Sequence, residues 1–182
     1  MTVLKPSYLR VRRRAEEALQ NLTQPPVDVM AVAARLGAEV RPFDLSADVS
    51  GILYREGDRR VIVVNQHHSV VRQRFTIAHE IGHLALHKGE AVHVDEKFPI
   101  YFRDGRSTTA ENVLEIEANA FAANLLMPAD WLRADLDSMR IDFSDDEALV
   151  RLADRYQVST QAMALRLASR EERAGADLRA TL

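Results

Sequence analysis

The chain has 182 residues, 47% of them hydrophobic and 28% charged, with a formal net charge of −3. That suits one globular domain with a small appendage; no apolar run approaches the roughly 20 residues of a membrane helix, and the charge excludes a globally basic nucleic-acid binder. With no cysteine, disulfides and cysteine-held metals are excluded, any metal must be bound by His, Asp or Glu, and a cytoplasmic location is the expectation.

Ser7 is placed to cap a first helix reaching to about Leu22, with Tyr8, Val11, Ala15, Leu19 and Leu22 along one stripe. The first residues carry charge but no apolar leader segment, so no signal peptide is expected. Arg10, Arg12, Arg13 and Arg14 read as a solvated helix face, partly balanced by Glu16 and Glu17, rather than as a phosphate patch. Gln24-Pro25-Pro26 breaks the chain, and a short helix over 27–36 should follow, stopped by Gly37. Residues 38–43, 51–54 and 61–64 read as strands, the last two joined by a hairpin at Gly57-Asp58. An exposed edge of such a sheet beside a hydrolytic site, supplied by either strand of the hairpin, could pair with an extended substrate backbone. Asn65, His67 and His68 fall in the next connection, where loop histidines are solvated more often than they stabilise an oxyanion.

The chain is organised around residues 75–87, F-T-I-A-H-E-I-G-H-L-A-L-H. His79, Glu80 and His83 make an H-E-x-x-H pattern. Helix residues four apart share a face, about 6 Å apart along the axis, so both histidines can present a ring to one ion. Glu80, beside the first of them, can take a proton from a water at that ion. Ile77, Ile81 and Leu84 give the helix an apolar face. Polar groups on such a surface are costly without partners, which favours a metal over two merely satisfied core histidines. Gly82 costs roughly 1 kcal/mol of helix stability against Ala, and would let another segment approach closely. A metzincin carries a third histidine six residues after the second. That position is Gly89, so this reading fails, and His87, which could touch the rim of the site, is assigned a capping or surface role. Lys88-Gly89 is the expected helix stop.

Residues 90–110 read as a loop that could cover the site, with His93, Asp95 and Tyr101 each able to enter it. A helix over 111–127 follows, ended by Pro128. Val113, Ile116, Ala120, Ala123 and Met127 mark its buried stripe, and Glu115, Asn119 and Ala122 a neighbouring one. Glu115 is the choice for third metal ligand, with Asn119 one turn on to fix the tautomer of a ligand histidine. Glu117, roughly 200° around the helix from Glu115, is the second choice. Two histidines and a carboxylate suit zinc, although manganese or iron could occupy the same set.

Two stretches in this order, R-Q-R-F-T-I-A-H-E-I-G-H-L-A-L-H at 72–87 and E-I-E-A-N-A-F-A-A-N-L-L-M-P at 115–128, resemble the ImmA/IrrE family of metallopeptidases. The likeness extends over roughly residues 1–170. It implies a minimal gluzincin-like domain with zinc on His79, His83 and Glu115 and with Glu80 as general base. It also implies cleavage of transcriptional repressors that carry helix-turn-helix domains, derepressing stress-response or mobile-element genes.

In the tail, Ser144-Asp145-Asp146-Glu147 reads as a capping box, Leu149, Leu152, Ala153 and Tyr156 as a helix stripe, and residues 160–170 as a second helix after a Val158-Ser159 turn. The pair resembles a helix-turn-helix, with Gln157 where such turns often carry glycine. Thr160, Gln161, Arg166 and Arg170 are candidate DNA or partner contacts, but a helical pair packed on the core is preferred, since these helices carry many acids. The expected fold class is α+β: a minimal zincin-like metallopeptidase domain over 1–140, a helix-turn-helix-like extension over 141–172 packed on it, and a frayed tail over 173–182. The expected function is zinc-dependent endoproteolysis of a protein substrate, a helix-turn-helix repressor, with no membrane partner. The rival is a non-catalytic, antitoxin-like regulator that binds DNA or a repressor and keeps a structural or vestigial metal site.

Overall fold

In the computed structural model, which describes residues 5–88, 91–96, 110–139 and 146–169, two glycines at left-handed φ set the early turns. The first helix, α1 (Tyr8–Ala18), begins after Ser7, although the Ser7 hydroxyl makes no capping bond. Asp28 does cap α2 (Val29–Arg35), its carboxylate accepting the Ala31 N–H at 3.0 Å. Gly37 (φ +72°) then turns the chain into β1 (Ala38–Phe43), and Gly57 (φ +56°) joins β2 (Val49–Glu56) to β3 (Arg59–Asn65). Ser69 opens α3 (Val70–Leu86), which starts five residues ahead of the F-T-I-A-H-E run. There follow β4 (Val92–Glu96), α4 (Ala110–Leu126), α5 (Ala129–Met139), α6 (Asp146–Tyr156) and α7, described over residues 160–169.

The described residues thus form an α+β fold of seven helices and one four-stranded sheet, ordered β1-β3-β2-β4. β1 runs parallel to β3; the β2–β3 hairpin and the β2–β4 pair are antiparallel, so both hairpin strands are interior and neither supplies the edge expected of them. Side chains alternate across a strand, and here one face is dry: Leu53, Ile62 and Val64 are buried towards α3, while Ile52, Tyr54 and Val63 on the other face are half-buried. β4 corrects the reading of 90–110 as loop throughout, and α5 is an element that the sequence pattern did not suggest.

Helix α3 lies between the sheet and α4. On the sheet side a Cβ at Gly51 would come within 2.5 Å of Thr76 Cγ2, so β2 reaches α3 only because residue 51 has none. Roughly opposite, Gly82 presses on Ala118 and Phe121 of α4. The one continuous core includes Ile77, Ile81, Phe121, Leu125 and Leu126, and it runs on through Leu152, Tyr156 and Met163 of the C-terminal helices. The turn between those helices holds Gln157 at φ +51°, its carbonyl receiving Arg74 at 3.3 Å.

Arg166, a candidate DNA contact in the sequence, is instead turned inward at 9% exposure. Its guanidinium donates to the Met127 carbonyl at 3.1 Å and to Asn124 Oδ1 at 2.9 Å, closing the C-terminal end of α4. Thr160 and Gln161 are exposed at the start of α7, whereas Arg170, the Ser144-Asp145 start of the capping box and the tail from 173 lie outside the described residues. Arg166→Ala is expected to cost about 2–3 kcal/mol, because it strips buried acceptors of a charged donor, and so to lower the melting temperature by about 4–12 °C. Urea denaturation with thermal melting checks this; an unchanged midpoint would refute the anchoring role.

Candidate metal centre

On a helix wheel His79 and His83 fall between the side of α3 that meets the sheet and the side that meets α4. Their burial, 0% and 3% exposed, comes from that position. The two Nε2 atoms stand 2.9 Å apart. Glu115 reaches over from α4, with Oε2 3.3 Å from His79 Nε2 and Oε1 3.2 Å from His83 Nε2. A fourth donor comes from β4: His93 Nε2 lies 3.4 Å from Glu115 Oε1. His93 pairs with Leu53 across the ladder and shares its inward face.

These four donors, all within 4.8 Å of one another, fit a metal ion. Donors about 2.0–2.1 Å from a tetrahedral ion stand about 3.3 Å apart, close to the 3.2–3.4 Å between Glu115 and the three rings. His93 Nε2 is buried in the cluster without a hydrogen bond, an atom that an ion would satisfy. Burial drives both ring pKa values down, that of His83 to about 3, against the pull of Glu115. For Glu115, burial works to raise the pKa, but the His79, His83 and His93 rings set against it outweigh that and hold the carboxyl well below its usual range. Neutral rings and an ionised carboxylate are the states that take up a divalent cation.

Glu80 is fully buried on the sheet side of the histidines. A Cβ at Gly51 would stand 3.2 Å from its Oε1, so the glycine leaves that oxygen room. Arg55 of β2 donates to the His83 carbonyl at 2.8 Å; burial depresses its guanidinium pKa while the Glu80 charge supports it. Asn119 meets His79 Nδ1 at 3.1 Å through its Oδ1. The ring must therefore carry its proton on Nδ1, which leaves Nε2 bare towards the cluster.

Glu117, the second choice for ligand, turns away from the cluster. It is buried against α1, where it accepts the Ser7 backbone N–H at 2.7 Å and Arg10 Nη2 at 2.5 Å, and it meets His87 Nε2 at 3.0 Å. Arg10 thus leaves the solvated arginine face, while Arg12, Arg13 and Arg14 pair with Glu16 or Glu17 along the helix. His87 is buried rather than capping at the surface, its side chain 4% exposed. His67 instead meets Asp44 on the surface at 2.9 Å, and neither it nor His68 joins the cluster. Sequence reasoning left His93 among three loop candidates and set His87 aside. The alternation Val92-His93-Val94 was a strand signal for the first, and the spacing of four from His83 a signal for the second.

The sequence profile of the IrrE N-terminal-like domain matches residues 33–168, most of the chain. The chain is 36% identical over 114 residues to the radiation response metalloprotease IrrE of Deinococcus deserti, covering 62% of this chain and 37% of that protein. It is 28% identical over 101 residues to the uncharacterized immunity region protein 2 of Bacillus phage phi105, covering 56% and 58% of the two. Among solved structures it is similar to a Mycobacterium tuberculosis transcriptional regulator, at a TM-score of 0.53 and 20% identity over 88% of this chain and 46% of that one; this likeness is one of fold. The chain therefore spans only part of the length of each of these proteins.

Proposed function

The chain belongs to the family of the IrrE N-terminal-like domain, and on that premise we propose that it is a zinc-dependent endopeptidase acting on a helix-turn-helix transcriptional repressor. The observation that carries the proposal is the meeting of His79, His83 and Glu115 beside a fully buried Glu80. A divalent cation held there supplies a Lewis acid and makes water acidic enough to attack near neutral pH. The remaining steps fall to the chain. Glu80 takes the proton from the attacking water and returns it to the leaving amine. Asn119 keeps His79 in the tautomer that points a lone pair at the cluster. In this reading His93 is not a ligand: it carries its proton on Nε2 and donates it to the carbonyl oxygen as charge gathers there. The outer edge of β4 offers its backbone to an extended substrate.

The repressor as substrate is supported by the relatives, a radiation response metalloprotease and an uncharacterized phage immunity region protein, and by the family resemblance. Derepression of stress-response or mobile-element genes would follow. In this proposal residues 1–140 form the hydrolytic unit, with 141–172 as a helical pair on it, and the setting is the cytoplasm. Among the described residues no helix is long and apolar enough to cross a membrane.

A second reading has one observation in its favour. Four protein donors fill a tetrahedral site and leave no open position; with His93 as a true ligand the centre would be structural and the chain a non-catalytic regulator. One experiment addresses both readings. Metal content by mass spectrometry at micromolar protein is expected to be near one zinc per chain, lost in Glu115→Ala and retained in Glu117→Ala. His93→Ala is expected to keep zinc but lose cleavage of a purified helix-turn-helix repressor. Loss of zinc in His93→Ala would favour the closed site, and absence of zinc uptake by the parent chain would end the peptidase reading.

A further inference from the structure

We propose that His87 is the positioning residue for the ligand His83, and that Glu117 with the start of α1 holds it in place; the inference rests on the metal-centre reading above. His83 points Nε2 into the donor cluster, and its other nitrogen, Nδ1, is 3.2 Å from His87 Nδ1. His87 Nε2 is 3.0 Å from Glu117 Oε2. The Glu117 carboxylate also receives the Ser7 N–H and Arg10 Nη2, two donors brought by α1.

The direction of every proton in this chain is fixed from its far end. A carboxylate that receives an amide and a guanidinium acts as acceptor towards His87 as well, so His87 must donate from Nε2. In the neutral ring its Nδ1 is then bare and can only accept. His83 must therefore donate from Nδ1, which leaves its Nε2 lone pair directed at the cluster. The reverse tautomer of His83 would set two bare nitrogens against each other at Nδ1 and aim an N–H at the donors. Asn119 does the same for His79 in a single step. The two ligands on α3 are thus oriented separately, one from α4 alone and the other through His87 from α4 and α1 together. Outer partners of this kind typically change metal affinity by about 10–100-fold.

The test uses the full chain and zinc itself. Zinc affinity is measured by competition with a chromophoric chelator, and the visible spectrum of the cobalt-loaded protein reports ligand geometry. His87→Phe keeps the ring shape without nitrogens and is expected to weaken zinc binding about 10–100-fold and to shift the cobalt bands. His87→Gln can accept from His83 and donate to Glu117, and is expected to return affinity to within a few-fold of the parent. If His87→Phe does not fold, Glu117→Gln carries the test: several-fold weaker zinc binding supports the role, and parental affinity overturns it. Parental affinity and cobalt bands in a folded His87→Phe also overturn it, and leave the metal centre standing. A parent chain that takes up no zinc overturns the metal centre itself, and this inference with it.

Discussion

Replacing Glu80 with Gln is expected to leave the metal in place and to lower peptide hydrolysis at least about 10²-fold. The substitution keeps the volume and removes only the ability to take a proton. Zinc is retained because Glu80 is not among the four converging donors. No solvent base can stand in for it, since Glu80 is fully buried with Gly51 of β2 close against its Oε1. Glu80→Asp retains a base but withdraws it by about one methylene, and misplacement by about 1 Å can itself cost about 10²-fold. Digestion of a peptide library followed by mass spectrometry, alongside metal analysis, checks both variants. Parental cleavage by Glu80→Gln would remove Glu80 from the chemistry, and joint loss of zinc and cleavage would make it a structural residue.

The second large effect belongs to Gly82→Val, expected to destabilise the fold by about 3 kcal/mol or more. A Cβ at this position would meet Ala118 Cα, Ala118 O and Phe121 Cβ, all at 3.1 Å. Two of these are backbone atoms of α4 and cannot swing aside as a long side chain would. Alanine sets two effects against each other: about 1 kcal/mol gained in helix propensity and about 1–3 kcal/mol lost to overpacking. Its net effect should be small or mildly destabilising. Valine adds two more carbons with no matching gain, because β-branching lowers helix propensity. Parting α3 from α4 also moves His79 and His83 away from Glu115 and Asn119, so zinc affinity should fall together with stability. Urea denaturation and chelator competition on both variants decide; a valine variant as stable as the parent would show that the two helices are not held at closest approach.

What could be read in the sequence follows the range of the forces involved. β1 was legible residue by residue, because Gly37 marks its start and Ala38 to Phe43 carry the strand pattern themselves. The periodicity of α3 and α4 depends on residues within each helix and was equally visible. β4 was not, because five residues hold as a strand only against the edge of β2, which lies far back in the chain. α5 was hidden by Pro128: the residue that stops α4 also has the fixed φ that suits the start of another helix, and its carbonyl accepts the Leu132 N–H. His87 was misjudged because it lies just past the last turn of α3, in extended conformation, and it is α1 and α4 that bury it. Local pattern places two histidines on one helix; it says nothing of what a distant helix will press against the third.

The two outer strands of the sheet are unlike each other. β1 carries Glu39 and Arg41 exposed, and Pro42 removes a donor from its margin; these are features that discourage another strand from pairing. β4 shows Val92 and Val94, 47% and 45% exposed, on the face opposite His93. In the proposed reading, a margin that takes an incoming peptide cannot be blunted in the manner of β1, because whatever repels a second copy of the chain repels the peptide too. If β4 receives a peptide as proposed, self-association in concentrated solution is expected to begin at that strand, and the bound peptide is at the same time what keeps the molecules apart.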